Sequence, residues 1–199
     1  ERVEVGPSEE VESIYGKTYL PRKFKIAVAL PPRNDVDVYS NDLGFVGIVE
    51  DGAIKGYNVL VGGGLGMTHG KVATYPRLAD LIGFCKPEQV VRVAEEAVKI
   101  QRDYGDRSDR RHARLKYTID DRGVAWFLEE LNRRLDGNLE SARDMTFDLT
   151  TDRYGWTQGH DGKWAYCLFV EGGRLQNSNG VDAKTAIREI SETHKGDFR

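Results

Sequence analysis

Two β-rich segments separated by Asp51-Gly52 constrain the fold of this chain more than any other feature of its 199 residues. Segments Gly44–Glu50 and Ala53–Val61 are rich in Val and Ile, which favour strands. Asp-Gly is a preferred central pair of a type I′ turn, because both central positions of that turn need positive φ. The sequence therefore predicts an antiparallel hairpin that turns at Asp51-Gly52.

Helical periodicity replaces the strand pattern in the next part of the chain. Pro87 suits the first position of a helix, and apolar residues then recur at helical spacing from Val90 to Val98. Strands followed by helices, without strict alternation of the two, predict an α+β fold with an antiparallel or mixed sheet and flanking helices. The other predicted elements are helices over Ser8–Tyr15, Ile119–Leu135 and Asp182–Lys195, and strands over Lys23–Leu30, over Trp164–Val170, from Arg174 to Gln176 and from Asp197.

Composition and charge exclude several classes of protein. The net charge of −3 argues against a general nucleic-acid binder. No run approaches the roughly 18 apolar residues of a membrane span, and the acidic N-terminus is unlike a signal peptide. The two cysteines, Cys85 and Cys167, do not make a disulfide framework and fit a cytoplasmic protein. No spacing among the cysteines and the four histidines predicts a metal site.

A glycine-rich loop at Gly62, Gly63 and Gly64 raises the question of nucleotide binding. The loop matches neither the dinucleotide-binding glycine pattern nor the P-loop, because the required glycines and the required Ser or Thr are missing. Either it is simply a tight turn, or its backbone comes close to another group.

Basic residues are concentrated at two places. Lys23 and Lys25 alternate with Phe24, so an extended backbone places both lysines on one face, either as a solvated strand end or as an anion site. The run from Arg107 to Lys116 is the most basic window of the chain. It could be a solvated face, an RNA-binding stretch or a cradle for a carboxylate-rich ligand, since arginine grips carboxylate and phosphate with two hydrogen bonds.

Several motifs in register resemble the assimilatory sulfite reductases, a siroheme-containing family. The resemblance covers nearly the whole chain from about residue 15, and its motifs stand in the family's order. The matching stretches are Tyr19–Lys25 (YLPRKFK), Asn41-Asp42-Leu43, Leu60–Leu65 (LVGGGL), Gln101–Gly105 (QRDYG), Asp109–Thr118, Gly155-Trp156 and His194–Arg199.

The resemblance implies the reduction of sulfite to sulfide with six electrons at a siroheme coupled to a 4Fe–4S cluster through a shared cysteine. In that family the lysines matching Lys23 and Lys25 bind the sulfite oxygens and supply protons, so these two are the candidate catalytic residues. Because siroheme is rich in carboxylates, we expect Arg114 and Lys116 to be exposed, poorly neutralised and to converge on one surface with the two lysines. The candidate cofactor-binding residues are Arg22, Asn41, Gly62, Gly63, Gly64, Arg107, Arg110, Arg114 and Lys116.

The chain departs from the family in its cysteines, because Cys85 and Cys167 do not match the four that hold the cluster there. We therefore expect an internal fragment that binds neither cofactor by itself. It would comprise a lead-in over residues 1–18, a siroheme-contacting domain over 19–150 and the truncated start of a ferredoxin-like half domain over 151–199. The implied partners are sulfite, a ferredoxin or flavoprotein reductase as electron donor, and the rest of the parent chain, with neither nucleic acid nor membrane.

Two alternatives remain open. The chain could come from a ferredoxin-dependent nitrite reductase, although in those enzymes the residue matching Lys25 is typically asparagine. From a different class, it could be a non-catalytic module that binds an anion or RNA through the basic run.

Overall fold

The computed structural model describes residues 12–197, which divide into two compact units. The first unit ends at Thr151 and the second begins at Asp152. Half of the helix predicted over Ser8–Tyr15 lies outside the described residues, and the described residues 13–18 form turns. The strand predicted to start at Asp197 also lies outside them, apart from Asp197 itself.

A four-stranded mixed sheet forms the centre of the first unit. Its first two neighbouring strands are parallel, and the other two neighbouring pairs are antiparallel. The backbone φ is 53° at Asp51 and 72° at Gly52, so the predicted hairpin turn is confirmed. The strands, in their order across the sheet, are β1 (Ile26–Ala29), β2 (Leu43–Glu50), β3 (Ala53–Val61) and β4 (Asp80–Cys85).

Two strands differ from the sequence prediction. β1 begins at Ile26 rather than Lys23, because only from Ile26 onward does the chain run in register with β2. β4 is not predicted by its sequence, since its apolar run is short and contains Gly83. That glycine has a packing reason: a Cβ there would lie 2.8 Å from the Leu139 Cβ.

Three helices follow the sheet in the first unit: α1 (Val90–Tyr104), α2 (Leu115–Arg122) and α3 (Val124–Leu135). The helix predicted to start at Pro87 is confirmed as a short 3-10 turn that leads into α1. The single helix predicted over Ile119–Leu135 is wrong at its start. Gly123 has a φ of 92°, which is not helical, and separates α2 from α3.

The core lies between one face of the sheet and all three helices. Residues such as Phe45 and Val59 of the sheet pack with Ala97, Ile119 and Phe127 of the helices. The opposite face of the sheet is covered by irregular segments, and the residues that pack there are Ala27, Ala29, Val38, Tyr39, Val46, Leu60, Ala79, Met145 and Phe147. The predicted α+β fold is thus confirmed, with the helices on one face of a mixed sheet.

The second unit is small, and none of its described residues is buried. It has two short hairpins and one helix: β5 (Gly155–Gln158), β6 (Trp164–Cys167), β7 (Asn177–Ser178), β8 (Val181–Asp182) and α4 (Ala183–Thr193). The predicted helix is confirmed, the strand from Trp164 ends at Cys167 rather than Val170, and the strand predicted from Arg174 is wrong. Among residues 12–197 no helix is long and apolar enough to cross a membrane.

Candidate anion-binding site around Asp42 and Arg114

A buried carboxylate joins three separate parts of the first unit. Asp42, directly before β2, accepts a hydrogen bond from the Lys25 backbone N–H, with 2.9 Å between N and Oδ2. It also pairs with Arg114, which precedes α2, through Nη2–Oδ2 at 2.8 Å and Nε–Oδ1 at 3.2 Å. The side chain of Asp42 is 0% exposed and that of Arg114 is 12% exposed. Burial raises the pKa of Asp42, while the charges of Arg114 and Lys25 act in the opposite direction.

The glycine loop continues the β2–β3 ladder beyond its last strand pair. Gly62 N donates to Asp42 O at 2.9 Å, and Gly63 N donates to Asn41 O at 3.0 Å. A Cβ on Gly63 would lie 2.2 Å from the carbonyl oxygen of Tyr39. A Cβ on Gly64 would lie 3.1 Å from Arg114 Nη1. The missing side chains of Gly63 and Gly64 therefore let the loop pack closely against this chain's own backbone and against Arg114.

Lys116 is enclosed by the same loop. Its ammonium donates to the carbonyls of Gly64 at 3.0 Å, Gly66 at 2.9 Å and Tyr75. It also lies 4.9 Å from the centre of the Tyr117 ring. An ammonium has three N–H groups, and all three are used here by a residue that is 1% exposed. Burial lowers the pKa of Lys116, with the nearby Arg114 charge adding to that effect.

The expectation that Arg114 and Lys116 are exposed and poorly neutralised is thus wrong. Arg114 is neutralised by Asp42, and Lys116 has no N–H left for a ligand. The physical reason is that the basic run enters the core at α2, where a charged group needs partners inside the protein. Arg114 nevertheless keeps one amino group, Nη1, that donates no hydrogen bond to the described residues.

Two of the predicted site residues, Asn41 and Arg107, make hydrogen bonds that stabilise the fold. The side-chain amide of Asn41 is buried and donates to the carbonyls of Val36 and Asp37, at 3.4 Å and 2.9 Å. Arg107 donates to the carbonyls of Tyr19 at 2.7 Å and Arg102 at 2.9 Å. Asn41 fixes the turn before β2, and Arg107 ties the lead-in segment to the end of α1. The structure therefore does not bring Arg107 to the Asp42–Arg114 pair.

Among the predicted site residues, four cations have no hydrogen-bonded acceptor within residues 12–197. Neither a side-chain hydrogen bond nor an ion pair to a described residue involves Arg22, Lys23, Lys25 or Arg110. Lys23 and Arg110 are exposed, whereas Arg22 and Lys25 are half-buried. Phe24 packs against the core, on the side that its alternation with the two lysines predicts. Of these four, Lys25 is tied to the Asp42–Arg114 pair by its main-chain N–H. Positive charge without internal partners at such a place is what an anion-binding surface requires.

Asp42 and Arg77 hold this site together, and neither is among the site residues predicted from the sequence. Arg77 donates to the Gly62 carbonyl at 3.1 Å and pairs with Asp120 of α2 at 2.7 Å, which closes the other side of the glycine loop. Tyr75 donates to the same carboxylate at 2.7 Å, and this bond raises the pKa of Tyr75 to about 12. The sequence signals for Asp42 are its place in the family-like stretch Asn41-Asp42-Leu43 and its position as a carboxylate directly before the mostly apolar strand β2.

Neither cysteine takes part in the hydrogen bonds of this site. Cys85 is buried at the end of β4, and burial raises the pKa of its thiol to about 11. Cys167 is exposed in the second unit. In the part of the chain that the structure describes, no group of three His, Cys, Asp or Glu residues could hold a metal ion.

Comparison with known proteins places this site in a family. The model of the nitrite and sulphite reductase 4Fe-4S domain matches residues 3–139, which include every residue of the site. The sulfite reductase (NADPH) hemoprotein beta-component of Myxococcus xanthus is 57% identical over 190 residues, covering 96% of this chain and 34% of that protein. The protein of the same name from Bacillus subtilis is 56% identical over 199 residues, covering 100% of this chain and 35% of that protein.

A solved structure gives the same fold. The Mycobacterium tuberculosis NirA protein superposes with a TM-score of 0.63 and 32% sequence identity, over 74% of this chain and 26% of that one. This chain spans about a third of the length of the curated relatives that it matches.

Proposed function

Since this chain belongs to the nitrite and sulphite reductase family, we propose that it is the substrate-side part of an assimilatory sulfite reductase. The parent enzyme would reduce sulfite to sulfide with six electrons at a siroheme coupled to a 4Fe–4S cluster. The observation that carries the proposal is that Lys25, whose ammonium has no acceptor within residues 12–197, is held by its main chain to the buried Asp42–Arg114 pair. The identity of 57% to a sulfite reductase hemoprotein supports the same assignment.

The residues of this chain fit the carboxylates of siroheme. Arg22, Arg110 and the Nη1 group of Arg114 would hold them, because guanidinium groups bind carboxylate strongly and stay charged at all physiological pH values. When bound, siroheme supplies the redox centre through which electrons reach sulfite.

Lys23 and Lys25 would bind sulfite itself. Sulfite carries up to two negative charges at neutral pH, and its reduction consumes protons at each oxygen that leaves. Two ammonium groups answer both needs, since they neutralise the anion and act as general acids. The main chain of Lys25 is fixed by Asp42 at 2.9 Å, so one of the two groups extends from a fixed backbone.

The cluster does not fit the residues of this chain. A 4Fe–4S cluster takes four cysteine ligands, and the chain has only Cys85 and Cys167. Burial raises the pKa of Cys85 to about 11, which disfavours the thiolate that binds iron. Cys85 and Cys167 therefore do not supply the ligand set of the cluster.

Partners and location follow from the same proposal. The relatives are named as one component of an NADPH sulfite reductase, which favours a flavoprotein reductase as electron donor over ferredoxin. We further propose a cytoplasmic location, consistent with the free cysteines. The acidic overall charge argues against a nucleic-acid partner.

The experiment that tests the proposal uses the full-length siroheme-loaded protein. Lys23→Met and Lys25→Met should each lower kcat/KM for sulfite by roughly 10²-fold, the usual scale for losing one acid or charge-stabilising donor. Lys55→Met, on the exposed part of β3, is the matched control and should leave the rate unchanged. Normal sulfite turnover in both Lys23→Met and Lys25→Met would contradict the proposal. Salt-dependent RNA binding by the unmodified protein would favour the non-catalytic alternative instead.

A further inference from the structure

We propose that Asp42 is a positioning residue, which sets where Lys25 stands relative to Arg114 and thereby how tightly sulfite binds. The inference rests on the proposed function, because it gives a role to the backbone on which a substrate lysine is mounted. The carboxylate of Asp42 is 0% exposed, so its effect would reach sulfite only through Lys25 and Arg114.

The hydrogen bonds of Asp42 leave little freedom to either partner. One carboxylate oxygen, Oδ2, accepts from both the Lys25 N–H at 2.9 Å and Arg114 Nη2 at 2.8 Å. The other, Oδ1, accepts from Arg114 Nε at 3.2 Å. Since the carboxylate is 0% exposed, water does not compete for these bonds. A residue 17 positions from Lys25 and 72 from Arg114 thus fixes both at once.

Hydrogen bonds at Lys25 anchor the main chain of the segment that carries Lys23 and Lys25. Its carbonyl accepts from Leu43 N at 3.1 Å, and its N–H is held by Asp42, so the main chain is bound on both sides of this residue. Within the described residues, no backbone hydrogen bond is made by residues 20–24. Asp42 is therefore the last anchor of the main chain before the segment that carries Arg22 and Lys23.

Charge and geometry predict opposite effects for the loss of Asp42. Asp42→Asn removes a negative charge next to an anion-binding surface, so electrostatics alone would tighten sulfite binding. Asparagine, however, has only one acceptor oxygen. If that oxygen takes the place of Oδ2, the NH2 group faces Arg114 Nε, a donor against a donor, and the charge that holds Arg114 is lost, so the pair must shift. A positioning role therefore predicts weaker sulfite binding despite the more favourable charge.

The test uses the full-length siroheme-loaded protein and two readouts. Hydrogen exchange followed by mass spectrometry reports the Lys25 amide, and the spectral change of the siroheme on titration with sulfite reports the apparent Kd. In Asp42→Asn we expect the Lys25 amide to exchange at least ~10-fold faster and the Kd for sulfite to rise ~10-fold, with siroheme content unchanged. Glu130→Gln, which removes a different arginine-paired carboxylate on α3, should leave both readouts unchanged.

A second variant covers the case in which Asp42→Asn does not fold. Asp42→Glu keeps the charge that Arg114 needs but moves the acceptor by one methylene away from the Lys25 N–H. It should change both readouts in the same direction. An unchanged Lys25 amide, or unchanged or tighter sulfite binding in a folded Asp42 variant, would overturn the inference.

The Lys25→Met variant separates this inference from the proposed function. If Lys25→Met leaves the Kd for sulfite unchanged, the proposed function fails, whatever the Asp42 variants do. If Lys25→Met weakens sulfite binding and the Asp42 variants do not, only the positioning role fails.

Discussion

The Asp42 carboxylate and the Arg114 guanidinium form a two-bond pair, with Nη2–Oδ2 at 2.8 Å and Nε–Oδ1 at 3.2 Å. The pair joins the turn before β2 to the first residue before α2, and it leaves Arg114 Nη1 free of acceptors in the described residues. One arginine can therefore serve the fold with one side of its planar group and a bound anion with the other. A lysine could not pair with Asp42 and bind an anion in the same way, because its charge is concentrated on one ammonium group.

Lys25→Asn tests the preference between sulfite and nitrite. Nitrite carries one charge and two oxygens, so it needs less positive charge than sulfite. In the full-length enzyme, Lys25→Asn should lower kcat/KM for sulfite by roughly 10²-fold and affect nitrite reduction much less. Steady-state rates with both substrates and the same electron donor measure the difference. An equal loss for sulfite and nitrite would show that Lys25 does not set the preference.

Lys116→Met tests the role of the enclosed ammonium. The substitution leaves three buried carbonyls, those of Gly64, Gly66 and Tyr75, without their donor. We expect a loss of about 3 kcal/mol in the free energy of unfolding, measured with urea. Lys55→Met, at an exposed position, should change it by less than about 0.5 kcal/mol. A similar small effect at both positions would contradict the anchoring role of Lys116.

Gly63→Ala tests the close approach of the glycine loop to the turn before β2. The added Cβ would lie 2.2 Å from the Tyr39 carbonyl oxygen, so the backbone must shift. We expect a loss of about 1–3 kcal/mol in the free energy of unfolding, the usual cost of overpacking. Gly66→Ala is the control, because nothing lies within 4 Å of its added Cβ. Thermal unfolding of the two variants should therefore separate them clearly.

Glu130→Gln tests a pH-dependent contribution to stability from α3. Hydrogen bonds from Arg133, and then from Arg134, hold the pKa of Glu130 at about 2, against the effect of burial. Because this folded-state pKa lies below the unfolded value of about 4.3, the stabilisation is complete above about pH 5 and is lost as the pH falls toward 2. Glu130→Gln should thus cost about 1–2 kcal/mol at pH 7 and almost nothing near pH 2. Urea unfolding of both proteins across this range measures the difference, and a pH-independent gap would refute the assignment.

The 199-residue polypeptide should not assemble a 4Fe–4S cluster by itself. It supplies two cysteines, one of them buried, whereas the cluster takes four thiolate ligands. Anaerobic reconstitution with iron, sulfide and siroheme should leave no stable coupled chromophore and no turnover with reduced methyl viologen. The full-length protein treated in parallel is the positive control. A stable cluster on the shorter polypeptide would contradict the expectation.

Local signals in the sequence determined the hairpin and most of the helices. Asp51-Gly52 specifies its turn because few other residue pairs tolerate two positive φ values, whatever surrounds them. Pro87 and the apolar spacing of α1 act in the same local way. The sequence predicts one long helix over Ile119–Leu135 because the apolar period continues through Gly123, but the backbone at Gly123 leaves helical geometry.

What the basic residues do was decided only by the tertiary structure. The sequence presents Arg107, Arg114 and Lys116 as one basic run, since charge density is all that a linear pattern shows. In the folded chain, Lys116 donates hydrogen bonds to three carbonyls and Arg114 pairs with Asp42. Arg107 donates to the carbonyl of Tyr19. These partners are up to 88 positions away along the chain, and burial makes pairing obligatory wherever the fold places a charge inside. The sequence thus determined which residues carry positive charge, and the packing of α2 against the glycine loop decided which of those charges stay available to an anion.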